Sequence, residues 1–110
     1  MTHITRMLTA LTFAYVASFP AHADCLLPSP PSKIPDGQTA GEQEMVTAIG
    51  TLKEYNSDVE TYLKCLDFEH RQNHLSATDQ DRLHNAAVET LQRVANKFNA
   101  QVRTFNAKKG

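Results

Sequence analysis

The stretch TAGEQEMVTAIGTLKEYNSDVETYLKCLDFEHRQNH, residues 39–74, decides the fold. Its apolar positions recur at alternating four- and three-residue steps: Met45, Ile49, Leu52, Asn56, Val59, Leu63, Leu66 and His70. That spacing is the inner stripe of a long amphipathic helix. Asn56 is the polar intruder in the stripe, the kind of residue that fixes register between packed helices. A second line runs along one flank through Ala48, Thr51, Tyr55, Asp58, Tyr62 and Cys65. Punctuation places the start. Pro35-Asp36-Gly37 is turn chemistry, and Thr39-Ala40-Gly41-Glu42 reads as a capping box that begins the helix at Thr39. Gly50, in mid-helix, costs up to about 1 kcal/mol relative to Ala and suggests close packing there.

Outward from this helix, Ser76 or Thr78 offers a cap for a second one, with Asp79 and Asp81 placed favourably in its first turn. The second stripe is His84, Val88, Leu91, Ala95, Phe98, Val102 and Phe105, widened by Leu83, Ala87 and Val94. Folding the chain about residue 77 sets Leu66 against Val88, Leu63 against Leu91, Val59 against Ala95, Leu52 against Val102 and Ile49 against Phe105. The expected fold is therefore all-α: an antiparallel helical hairpin over residues 39–110, with helices at about 39–74 and 78–107. Lys108 and Lys109 put positive charge at the last turn, and the tail is expected to fray.

The other direction leads to an address. Arg6, an apolar run from Met7 to Phe19 too short to span a bilayer, and Ala21-His22-Ala23 together read as a cleavable signal peptide over residues 1–23. Residues 24–38 follow as a leader holding Pro28, Pro30, Pro31 and Pro35. Export to the periplasm or the medium favours a bond between Cys25 and Cys65, the only two cysteines. Cys65 lies roughly 39 Å along a helix begun at Thr39. The fourteen steps from Cys25 to Thr39 reach about 43 Å as polyproline II. The leader then has to run back along the first helix as an extended third element. Tyr55 and Tyr62 either hold Leu26, Leu27 and the prolines of that leader or flank the interface between the helices; the pattern allows both.

Composition narrows the classes of function. The chain has 110 residues, 41% of them apolar, and a formal charge of −1, which gives no reason to expect nucleic acid as a partner. No membrane span is expected after cleavage. There is no Cys-x-x-Cys-His, phosphate loop, nucleophile elbow or metalloprotease His-Glu motif, and no enzyme or cofactor is expected. A core this thin calls for staples: the disulfide, and dimerisation into a four-helix bundle.

Ile34-Pro35-Asp36-Gly37, Thr39-Ala40, Glu44-Met45 and Tyr62-Leu63-Lys64-Cys65-Leu66 resemble a group of small exported proteins of Gram-negative bacteria. The group shares a signal peptide, an early Cys, a proline-rich leader and a long helix with a second Cys. The resemblance implies a periplasmic protein and transfers no catalytic or binding residue.

The leading expectation is a non-enzymatic helical interaction or structural protein with an unidentified protein partner. One alternative is a chaperone-like stress protein, suggested by Leu75-Ser76-Ala77-Thr78-Asp79-Gln80 and its likeness to the Leu-Thr-x-x-Gln motif of helical periplasmic chaperones. The other is a metal-binding module at the hairpin tip. It uses His70 and His74 at the i,i+4 spacing, His84 facing them from the second helix, and Asp81 as a nearby oxygen donor.

Overall fold

The computed structural model describes residues 25–110; the signal peptide expected over residues 1–23 lies outside them. Two helices, α1 (Glu42–Arg71) and α2 (Ala77–Lys109), pack as a hairpin. No strand accompanies them among the described residues. No described helix is long and apolar enough to cross a membrane.

α1 begins three residues later than Thr39. Its N-cap is Gly41, in extended conformation and without a side-chain cap bond. The expected capping box gives way to a stronger local arrangement. Asp36 accepts the amides of Thr39 and Ala40 on its backbone oxygen and that of Gln38 on its side chain. This Asx-type turn holds the chain out of the helix until Glu42.

The far end closes at Arg71 in a Schellman motif. Asn73 adopts the left-handed conformation (φ 62°), its amide donates to the His70 carbonyl, and the His74 amide donates to the Glu69 carbonyl. α2 then starts on Ser76, whose hydroxyl accepts from the Asp79 amide at 3.1 Å.

The leader is the third element. Cys25 and Cys65 are joined in a disulfide with their Cα atoms 5.6 Å apart. From there the leader runs antiparallel to α1, and Ile34 and Pro35 come level with Gln43–Leu52. Its distal end is pinned to the last turns of α2. The Gly37 amide donates to Oε1 of Gln101 at 2.8 Å, and the Lys108 ammonium donates to the carbonyls of Gln38 (3.2 Å) and Ala40 (3.1 Å). Lys108 and Lys109 each sit 5.0 Å from the Phe105 ring centroid, and Lys109 reaches Glu42 at 3.6 Å. The tail expected to fray is instead helical through Lys109, because its ammonium groups complete the turn beneath it.

A two-sided load explains how α1 turns its face. Its buried residues are Met45, Tyr55, Val59, Tyr62, Leu66 and Glu69, with Ala48 and Leu52 half-buried between them. This line keeps the alternating three- and four-residue steps but is rotated toward the tyrosine flank. Ile49 and Asn56, placed in the inner stripe by sequence, are exposed; Asn56 reaches only Glu60 of its own helix, at 3.4 Å. A helix packed against one neighbour centres its apolar face on it. A helix packed against α2 and a leader centres between them, and Tyr55 and Tyr62 become core. Leu26 and Leu27 stay exposed, outside the buried cluster that those tyrosines form.

One cluster joins Tyr55, Val59, Tyr62, Leu66 and Ala87, with Cys25, Leu63 and Leu91 packed on it; a second joins Ala40, Met45, Phe98 and Phe105, with Ile34 and Val102 on it. Leu52 touches both. Register also shifts. The chain turns over residues 72–76, and one hollow is lined by Leu52, Lys53 and Asn56 with Leu91, Gln92 and Ala95. Leu52 thus lies beside Leu91 and Ala95, where folding about residue 77 had set it opposite Val102. Gly50 is exposed with open space around it, so no close approach explains it.

Candidate functional site

At the hairpin tip the three histidines take separate paths. His74 is the second residue beyond the cap of α1, not a helical residue, so the i,i+4 stacking with His70 does not form. Nδ1 of His70 donates to the Leu75 carbonyl at 2.9 Å, which ties the helix end to the connection. Nδ1 of His74 donates to Oε2 of Glu69 at 3.0 Å, and Glu69 is a buried carboxylate. His84 is exposed on α2, next to the half-buried Leu83 and one turn before the buried Ala87, and Asp81 is exposed nearby. Among the described residues no group of three or more His, Cys, Asp or Glu side chains is placed to hold a metal ion. Glu69 went unread in the sequence because its role depends on the Schellman turn. Asn73, a residue type that tolerates the left-handed conformation, was the available signal for that turn.

Among the described residues, two apolar hollows flank the helix pair, one on each side of the hairpin. On the leader side a groove of about 380 Å³ opens between the leader and α1. Pro31, Lys33, Ile34 and Pro35 form one wall, Glu44, Thr47, Ala48 and Thr51 the other, and Val94 and Phe98 of α2 the floor. Apolar atoms dominate the floor, while Lys33 and Glu44 bring opposite charges to the two walls.

On the opposite side no leader residue among those described lines the seam. The hollow lined by Leu52, Asn56, Leu91 and Ala95 lies open there, with Lys53 and Gln92 beside it. Ile49, one turn before Lys53, is 39% exposed, and Val46, one turn earlier again, is 53% exposed. The residues that sequence assigned to the inner stripe and that the structure leaves uncovered, Ile49 and Asn56, both lie along this side.

No family model, curated protein or solved structure matches the chain.

Proposed function

We propose that the chain is a non-enzymatic interaction protein of the periplasm or the medium, and that it engages a helical partner along the side of the hairpin away from the leader. One observation carries this reading: among the described residues the leader covers the helix pair on one side, and the other side presents Leu52, Leu91 and Ala95 around a hollow, with Ile49 and Val46 exposed farther along α1. A two-helix layer with an open apolar seam accepts an amphipathic helix in the way helix-in-groove complexes do. Export is supported by the Ala21-His22-Ala23 pattern, by the disulfide and by the resemblance to small exported proteins.

The test is a photo-reactive side chain placed at Asn56, on the open side, and in parallel at Thr61, which is exposed on the opposite flank of α1. In exporting cells the Asn56 probe is expected to capture one discrete partner, and Ala95→Glu to abolish the capture. A second copy captured at Asn56 gives the same surface a self-partner in a four-helix bundle. Equal capture from both positions, or capture indifferent to Ala95→Glu, overturns the reading.

A further inference from the structure

We propose that two copies of the chain pair through their leaders, with Leu26 and Leu27 of each seated in the leader-side groove of the other. This surface lies on the opposite side of the hairpin from the one assigned above and does not depend on it.

Leu26 and Leu27 are 85% and 66% exposed, the most exposed large apolar side chains among the described residues. They are not a loose end. Cys25, immediately before them, is fixed to α1 through Cys65, so part of the entropy of ordering them is already spent when a partner arrives. Phe68, one turn along α1 from Cys65, is half exposed at the same end. The other end of the same leader forms an apolar recess, with Ile34, Pro35, Ala48, Leu52 and Phe98 around it.

One leader therefore carries a projection and a recess about 22 Å apart, seven residues at 3.1 Å each. That arrangement is self-complementary. If two leaders cross antiparallel about a two-fold axis near Pro30, the projection of each meets the recess of the other. Ser29 and Pro30, at the crossing, are both exposed. Such an interface is isologous and closes at two copies instead of growing into a chain. The prolines at 28, 30, 31 and 35 lack amide hydrogens, so the crossing leaders meet through side chains and not as paired strands.

Sedimentation equilibrium of the protein purified from the exported fraction, with and without Leu26→Asp/Leu27→Asp, tests the pairing. Both residues are exposed, so the double variant is expected to keep its thermal unfolding transition while losing about 100-fold or more in dimer affinity. In a mixture of isotopically heavy and light copies, a photo-reactive side chain at position 27 is expected to cross-link to residues 31–35 or 43–52 of the other copy. Thr47→Arg, which blocks the recess from its exposed wall, is expected to weaken the dimer likewise. A monomer at high micromolar concentration overturns the proposal. So do a dimer indifferent to the double variant, and cross-links landing on the Asn56 side. A monomer that takes up anilinonaphthalene sulfonate, with the dye lost in Thr47→Arg, also overturns it and marks the recess as a site for small apolar ligands.

Discussion

At Gly37 an added methyl group would meet backbone of α2, 2.9 Å from the Phe105 amide nitrogen and closer still to the Gln101 carbonyl oxygen; at Gly50 it would meet nothing within 4 Å. Two glycines that look alike in the sequence thus have opposite consequences. Gly37→Ala is expected to lift the leader's pinned end off α2 and cost about 2 kcal/mol or more. Gly50→Ala, on an exposed helical face, is expected to stabilise by up to about 1 kcal/mol. Urea unfolding of the two variants, followed by circular dichroism, reads both changes, and a Gly37→Ala midpoint equal to wild type refutes the close approach.

Tyr55 supplies a pH test. Burial pushes its phenol above the ordinary value of 10.0, and the positive charge of Arg93 offsets part of the effect. Its folded-state pKa is therefore raised. Above pH 10 the folded chain holds a proton that the unfolded chain has released, so the stabilisation is fully present below that pH and is lost as pH rises through the folded value. Unfolding at graded alkaline pH is expected to show this loss, and Tyr55→Phe to flatten it.

Among the elements, the hairpin was legible because alternating four- and three-residue steps persist through both long segments, and nothing else accommodates that pattern. The facing of α1 was not legible to the same degree. An apolar stripe and an aromatic flank 60–100° apart are both present in the sequence, and which one becomes the centre depends on a neighbour without helical periodicity of its own. The reach from Cys25 to Cys65 did disclose that neighbour. It did not disclose that the leader's far end is latched by Gln101 and Lys108, because contacts at separations of 64 and 68 residues leave no local trace. The tip failed for a related reason: the His70–His74 spacing means one turn only if the helix continues, and Asn73 ends it.

The rotated face has a measurable signature. Tyr62→Ala, in the core, is expected to cost about 3–5 kcal/mol, whereas Asn56→Ala is expected to stay within about 0.5 kcal/mol of wild type. Equal losses from the two would restore the original stripe as the buried one.

For the molecule as a whole, the disulfide joins residues 40 apart and contributes about 4 kcal/mol in the chain-entropy model. It also decides how the protein bears a load. Tension applied at Cys25 and at the C-terminus passes directly through the sulfur bridge to Cys65 and on along the rest of α1 and α2. The leader and the part of α1 before Cys65 sit outside the force path, like a loop shorted out of a circuit. Pulling the oxidised protein apart in an optical trap is therefore expected to release only the chain after Cys65. Reduction of the bridge is expected to lengthen the unfolding step by the 40 residues it encloses, roughly 140 Å at about 3.5 Å per residue. Drawing off α2 takes Ala87, Leu91, Val94 and Phe98 with it, so the tyrosine core and the groove both come apart in that first step, while the residues between the two cysteines remain a slack loop that bears no load.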